Sequence, residues 1–226
     1  ISVITPRSFC PNCRGKIPFY RNLPIISFII QFGKCHRCAN KISLRYILVE
    51  LISGFIWGWS FASLNWKVAF FTSILVSLLL VISFIDYRTM VIPLSLIILC
   101  GVLILLSILF GILPFKKTLI GFLVGPLIFI IILGITFLIS KRQSMGFGDV
   151  QLSAILGAWL GSMDIIFVFS FSSLLSLIWW LILSIKTGFN RDKALPFAPF
   201  LCFTATGIFI AEFYLGKNLF EILFIY

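Results

Sequence analysis

The sequence has 226 residues, of which 61% are hydrophobic and only 11% charged, and its net charge is +11. A soluble domain carries about 25% charged residues, so this composition excludes an ordinary soluble protein. A transmembrane helix needs about 20 apolar residues, so the length allows six or seven spans beside one polar segment. We therefore predict an all-α polytopic membrane protein.

The first 46 residues form a polar segment that we predict to be a cytoplasmic module. They carry eight basic residues and no acidic one, which is typical of loops on the cytoplasmic side of a membrane. Such charge also suits nucleic acid, but membrane topology already accounts for it, so no nucleic-acid partner is predicted. The given sequence starts at Ile1, the first residue of this module, and we expect a further span before the module in the complete protein.

Four cysteines of the module form two Cys-x-x-Cys pairs, Cys10 with Cys13 and Cys35 with Cys38. Two such pairs are typical of a tetrahedral four-cysteine zinc site, in which each tight turn supplies two thiolates. Four thiolates leave no open position, so the predicted zinc is structural. Two disulfides or a redox pair are the alternatives, and the reducing cytoplasm argues against disulfides. His36 is expected to be a surface residue.

The remainder, residues 47–226, is predicted to be the membrane-embedded domain. Within the module, the segment 19–32 is too short to cross a bilayer and is interpreted as interfacial. The apolar segment 150–163 is also short, and we expect a half-length or re-entrant helix there. The predicted membrane helices are 47–64, 68–85, 91–113, 118–139, 150–163, 164–185 and 194–215.

The basic residues orient these helices in the membrane. With the module in the cytoplasm and 150–163 crossing, fourteen basic residues lie inside and four outside. Asp86 and Asp149 then share the cytoplasmic edge of the membrane. The outer basic residues are Lys67, Lys116, Lys117 and Lys217, and the inner ones beyond the module are Arg88, Lys141, Arg142, Lys186, Arg191 and Lys193.

Two aspartates stand out among the seven acidic residues of the chain, because an ionisable group in or beside a span is costly. Asp86 ends the second predicted helix, and Asp149 completes a Gly-x-Gly-Asp sequence with Gly146 and Gly148. Each has a simpler interpretation, since Asp86 could pair with Arg88 and Asp149 could cap the following helix. The pair is more informative than either residue, because topology places both at one depth.

Two neighbouring carboxyl groups do not both ionise readily, so one of them holds a proton. The ionised group can take a proton from water while the other donates to the scissile carbonyl and the leaving amine. Such a pair hydrolyses a peptide bond without a covalent intermediate. A Ser-His-Asp triad is not supported, because His36 is the only histidine.

These residues resemble the prepilin peptidases, or type IV leader peptidases, over nearly the whole chain. The resemblance lies in segments 6–13, 22–24 and 42–50 with the second cysteine pair, in 85–86, in 145–152 with 157–161, and in 195–201. The sequence departs from the family pattern at residues 92–94, at Gln151 and at Ala198, none of which is a candidate catalytic acid.

The resemblance implies a membrane aspartyl endopeptidase in which Asp86 and Asp149 are catalytic and Gly146 and Gly148 support the motif. Such enzymes cut the basic leader from type IV prepilins, and from pseudopilins of type II secretion, after a glycine. The cut lies on the cytoplasmic side of the substrate's own apolar segment, at the bacterial inner membrane. Many members then methylate the new N-terminus with S-adenosylmethionine. The implied partners are these substrates and the lipid bilayer, and the implied zinc folds the module beside the site.

Two functions without catalysis are the alternatives. A transporter with a zinc-ribbon domain would use Glu50, Asp86 and Glu212 as an ion path, but the two key acids lie at one face. For Glu50 we expect a buried hydrogen bond between helices instead. If the protein were a structural subunit of a secretion machine, the machine would still assemble with Asp86 and Asp149 both changed to alanine. Asp164 and Asp192 are interpreted as ordinary loop acids.

Overall fold

The computed structural model describes residues 8–140, 146–188 and 195–216, and this part of the chain is mainly helical. It divides into two compact units, Ile1–Asn65 and Trp66–Tyr226. This division does not decide the predicted functional boundary after residue 46, which stays a prediction. Predictions that lie outside the described residues concern Arg7, Lys141, Arg142, Met145, Arg191, Asp192, Lys193 and Lys217.

The first unit contains two turns of the same construction, one around each cysteine pair. The N–H of Arg14 donates to the carbonyl of Cys10 at 2.8 Å, and the N–H of Ala39 donates to that of Cys35 at 2.9 Å. Arg14 and Ala39 also share a left-handed backbone, with φ of 52° and 54°. The two turns therefore present their cysteines in equivalent ways. The isolated bridges beside the turns join Phe9 to Lys16 and Lys34 to Lys41.

Glu50 connects the two helices of the first unit through a loop. Helix α1 spans Ile26–Ile30, and helix α2 spans Leu44–Ser63. The Glu50 carboxylate, on α2, accepts a 2.7 Å hydrogen bond from the backbone N–H of Ile25, just before α1. Ile25 has a φ of 62°, which an isoleucine rarely adopts. The expected helix–helix hydrogen bond of Glu50 is corrected accordingly: its partner is the backbone of a strained loop.

The second unit supplies most of the membrane helices. Together with α2, five described helices are long and apolar enough to cross a membrane, and two apolar helices are shorter. The predicted all-α class with six or seven membrane helices is confirmed by these five long and two shorter apolar helices. The described helices of the second unit are α3 (Trp66–Thr89), α4 (Leu94–Leu109), α5 (Phe115–Ser140), α6 (Phe147–Leu160), α7 (Asp164–Thr187) and α8 (Ala198–Leu215).

Helix α4 is shorter than the predicted segment 91–113. It starts after Pro93, whose backbone is extended, with ψ of 123°. It ends before Gly111, which has a φ of 67°. A proline fixes φ and favours a helix start, while a left-handed glycine ends one. Local backbone chemistry thus trims an apolar run that hydropathy alone would extend.

Helix α6 is the central helix of the second unit. Eleven of its fourteen residues are buried, and it packs against α4, α5, α7 and α8. Fourteen residues rise about 21 Å, less than the roughly 30 Å of a bilayer's hydrocarbon core. A helix covered by protein need not match that thickness. The expected half-length helix is therefore observed, and it is covered by protein from Asp149 onward except at Gln151, which is half-buried.

The backbones of α5 and α6 touch because glycines line their crossing. A Cβ atom on Gly121 would overlap the carbonyl oxygen of Gly157, and one on Gly157 would overlap that of Gly121. Gly125 faces the carbonyl of Ser153 in the same way. Close approach of this kind stabilises helix pairs in lipid through van der Waals contact and weak Cα–H···O bonds.

Asp164, at the start of α7, is not an ordinary loop acid, which corrects the interpretation from sequence. It is 2% exposed, and its Oδ2 lies 3.7 Å from Nζ of Lys117. The Lys117 side chain crosses Gly161, where a Cβ would collide with it. Removal of Lys117, whose side chain is half-exposed, would leave the buried carboxylate of Asp164 without a counter-charge, so this pair is a structural tie between α5 and α7.

Candidate active site

Asp86 lies near the C-terminal end of α3 and is only 5% exposed. Its Oδ2 accepts a 3.2 Å hydrogen bond from the backbone N–H of Ala198. Ala198 is the first residue of α8, so the carboxylate lies at the positive end of that helix dipole. No ion pair joins Asp86 to Arg88, both of which are described, so that simpler interpretation is not supported.

Asp149 lies in the first turn of α6 and is 9% exposed. The N-cap of α6 is Gly146, and the N–H of Asp149 donates to the Gly146 carbonyl at 3.2 Å. Asp149 is therefore inside the helix and is not its cap, so the capping interpretation is wrong. Its carboxyl group is left available for another role.

The two aspartates lie within electrostatic range of each other. The covered thiol of Cys202, on α8, is within the same range of both, and α8 packs against both α3 and α6. Cys202 is one turn beyond Ala198 on α8. Helices α3, α6 and α8 therefore bring one end of each to a common point, as a two-carboxylate site requires. Cys100 and Cys202 are both buried, as expected of packing residues.

The two motif glycines differ in what they permit. A Cβ on Gly148 would lie 2.9 Å from Cβ of Ile92, in the segment before α4. A Cβ on Gly146 would meet nothing closer than Oδ2 of Asp149, at 3.7 Å. Gly148 thus allows the chain to pass tightly across the start of α6, while Gly146 leaves ordinary contact distance beside the carboxyl group.

We expect Gly148→Ala to destabilise the protein and Gly146→Ala to leave its stability nearly unchanged. The first change forces Ile92 to move, and overpacking of this kind costs about 1–3 kcal/mol. Thermal unfolding of the purified full chain in detergent compares the two variants with wild type. Equal melting temperatures for both variants would show that the Ile92 contact does not constrain position 148.

The start of α8 is held by aromatic packing and one hydrogen bond. The ring of Phe197 lies 6.0 Å from that of Phe129, which lies 4.5 Å from that of Phe169. The Ser172 hydroxyl donates to the Phe200 carbonyl at 3.1 Å. The N–H of Ala198 is thereby fixed toward Asp86. Sequence reasoning missed this donor, and the available signal was the helix start that Pro199 favours.

The four cysteines of the module come together. Their sulfur atoms all lie within 4.8 Å of one another, and the sulfurs of Cys10 and Cys38 are 3.9 Å apart. Tetrahedral Zn–S bonds of about 2.3 Å place two sulfurs about 3.8 Å apart. All four are free thiols rather than disulfides. The cluster therefore has the ligand set and the spacing of a zinc site.

Backbone donors favour metal ligation in the second turn. The pKa of Cys35 is lowered to about 6, first by the backbone N–H of Arg37 and then by that of Cys38. A thiolate is the form that binds a metal. His36 lies between these residues but is exposed and outside the sulfur cluster, as expected from the sequence.

The second unit is thus a bundle of membrane helices around two neighbouring, covered aspartates, and the first carries a four-cysteine cluster. Residues 1–64 match the Bacterial Peptidase A24 N-terminal domain, and residues 73–181, which include both aspartates, match the Type IV leader peptidase family. The chain belongs to the type IV leader peptidase family, as the resemblance predicted.

Several relatives carry the name prepilin leader peptidase/N-methyltransferase. That of Neisseria gonorrhoeae is 32% identical over 217 residues, covering 90% of this chain and 73% of the relative. That of Aeromonas salmonicida is 33% identical over 203 residues, covering 88% and 69%. That of Legionella pneumophila is 27% identical over 227 residues, covering 96% and 78%. No solved structure matches the chain significantly.

Proposed function

We propose that this chain is a membrane aspartyl endopeptidase that removes the leader peptide of type IV prepilins and pseudopilins after a glycine. The observation that carries the proposal is the covered Asp86–Asp149 pair within the region that matches the type IV leader peptidase family. The names of the relatives support the same reaction. A transporter is not favoured, because the Glu50 and Asp86 carboxylates already accept backbone hydrogen bonds.

In this proposal Asp86 is the general base. The Ala198 N–H and the positive end of α8 both stabilise a negative charge on its carboxylate. Asp86 takes a proton from a water molecule, whose oxygen then attacks the scissile carbonyl carbon. The hydrogen bond to Ala198 also fixes the orientation of the carboxylate, so the water is bound at a defined place.

Asp149 is the general acid in the same proposal. The two carboxyl groups lie within electrostatic range of each other, so the pair retains one proton. The Ala198 hydrogen bond stabilises the ionised form of Asp86, so the proton is assigned to Asp149. It donates that proton toward the carbonyl oxygen as the tetrahedral intermediate forms. When the C–N bond breaks, Asp86 gives the proton that it took from water to the leaving amine, and Asp149 recovers its proton from a hydroxyl of the intermediate. The products are a carboxylic acid and a free N-terminus.

The reaction is proposed to occur at the cytoplasmic edge of the inner membrane. The basic residues support this orientation, because their excess lies on the side of the module and of the loops next to both aspartates. Arg88, two residues after Asp86, is exposed, as a residue at that edge should be. The basic leader of the substrate would lie on the same side.

The names of the relatives also support a second step, methylation of the new N-terminus. S-adenosylmethionine supplies the methyl group in such reactions. No site for S-adenosylmethionine is identified among the described residues, so only the hydrolysis is assigned to named residues. Mass spectrometry of the product, with the cofactor added or left out, tests whether one methyl group is transferred.

The four-cysteine cluster is proposed to hold one structural zinc ion. We expect metal analysis of the purified protein to find one zinc per chain. Cys38→Ser should lose the metal, because three thiolates bind it less tightly, and should lower the stability of the first unit. His36→Ala, a change inside the same turn but outside the cluster, should keep it. Full zinc content in Cys38→Ser would contradict the assignment.

Leader cleavage tests the proposed function directly. The purified full chain is incubated in detergent with a substrate that carries a basic leader, a glycine and an apolar segment. Mass spectrometry should find a cut directly after the glycine. A matched substrate with valine in place of that glycine should be cut much more slowly. No cleavage of the glycine substrate by well-folded protein, or equal cleavage of both, would reject the proposed specificity.

A further inference from the structure

Two apolar grooves lie side by side between α7 and α8, outside the hydrolytic site. The first has a volume of about 440 Å³ and lies between Trp179 on α7 and Pro199 on α8. The second, of about 350 Å³, is bounded on α8 by Thr204 and Gly207. Phe203 lines both, so they form one continuous feature, which we call the α7–α8 groove.

One end of the groove lies close to Asp86. Pro199, which lines it, follows Ala198, the residue whose N–H binds Asp86. The last residue of α8 that lines the groove is Ala211. The helix rises about 18 Å between Pro199 and Ala211, which is more than half the thickness of a bilayer's hydrocarbon core. The groove therefore follows α8 away from the end that carries the donor to Asp86.

The groove offers an apolar surface to an occupant. Its lining residues are apolar, aromatic or glycine apart from Thr204. Thr204 is 7% exposed and its Oγ1 is covered, so the hydroxyl is not presented to the groove. An apolar helix can therefore pack there without desolvating a polar group.

We propose that the α7–α8 groove binds the apolar segment of the substrate. This inference rests on the proposed function, in which the cut lies directly beside that segment. A bond held at Asp86 and Asp149 requires the following residues to enter the membrane at this point. The groove meets this need, because Phe203 is 74% exposed and no atom lies within 4 Å of a Cβ position on Gly207.

Filling the groove should weaken binding of the membrane substrate. We expect Gly207→Leu to raise its KM about tenfold, a typical effect of a bulky side chain at a packed helix contact. Gly134→Leu is the matched control, since Gly134 is also open around its Cβ position but lies on α5. A short peptide with the leader and the cut site but no apolar segment should be cut equally by both. Equal KM values for the membrane substrate would overturn the proposal.

Cross-linking separates this proposal from the proposed function, because it needs binding and not cleavage. A photoreactive amino acid replaces Phe203 in the double variant Asp86→Asn, Asp149→Asn, reconstituted in vesicles with intact substrate. We expect a cross-link to the substrate's apolar segment, and none from Leu105, an exposed control position on α4. A cross-link only to lipid, or only to a second copy of the chain, would overturn the groove as the substrate site. Failure of wild type to cut either substrate would reject the proposed function instead.

Discussion

Asp86→Asn and Asp149→Asn should each lower kcat for leader cleavage by about 10²–10⁴-fold, the range of general acid–base catalysis. Asparagine has nearly the shape of aspartate but neither takes nor gives a proton at neutral pH. In Asp86→Asn the Ala198 N–H can still donate to the oxygen of the new side-chain amide, so the fold around α8 should survive. Single-turnover cleavage with saturating enzyme measures the chemical step apart from substrate binding.

Asp164→Asn is the matched control for these two variants. Asp164 is as well covered as Asp86, with 2% exposure against 5%, but its carboxylate pairs with Lys117. This variant should lose stability and keep the rate of the chemical step. Thermal unfolding of all three variants confirms that each is folded. If either Asp86→Asn or Asp149→Asn cleaves at the wild-type rate, that residue is structural and the two-carboxylate mechanism is wrong.

Gly157→Ala should be among the most destabilising single changes in the chain. Its new methyl group would overlap the backbone carbonyl of Gly121, and neither helix backbone can turn away as a side chain would. Overpacking typically costs about 1–3 kcal/mol and more where backbone must move. We therefore expect a much lower yield of monodisperse protein and a clear drop in melting temperature.

Gly134→Ala makes the same chemical change on α5, where no atom lies within 4 Å of the new methyl group. Alanine is the better helix former by up to about 1 kcal/mol, so this variant should be as stable as wild type or more so. The two variants thus have opposite expected signs. Similar melting temperatures for both would show that α5 and α6 do not cross at backbone contact.

The membrane helices were predictable because each corresponds to a continuous apolar segment of the sequence. Helix α7, Asp164–Thr187, was predicted as 164–185, which is within two residues. Other ends differ by up to four residues, and α4 is shorter than predicted at both ends, because Pro93 and Gly111 set limits that hydropathy does not include. The four-cysteine cluster was equally accessible, because pairs at fixed spacing place their ligands through local turns alone.

Long-range partners were not predictable, because they depend on how helices pack. Nothing in the sequence around Asp164 shows that Lys117 reaches it, so its burial was missed. The donor to Asp86 is the backbone N–H of Ala198. Pro199 indicates that a helix starts there, but no residue type shows that this helix start faces Asp86. The proximity of Asp86 and Asp149 could be predicted only because membrane topology places both residues at one depth, which constrains their positions along the membrane normal.

The short helix α6, buried over eleven of its fourteen residues, has a consequence for other proteins of the same membrane. Because protein rather than lipid surrounds most of α6, helix packing and not bilayer thickness sets the position of Asp149. A bystander protein whose flexible loop lies far outside the bilayer cannot bring a peptide bond to that depth, whatever its local sequence. A membrane protein whose helix continues unbroken through this depth has no extended peptide bond there for the enzyme to cut. The choice of substrate would then depend first on the depth at which a peptide bond is presented, and second on the glycine at the cut site.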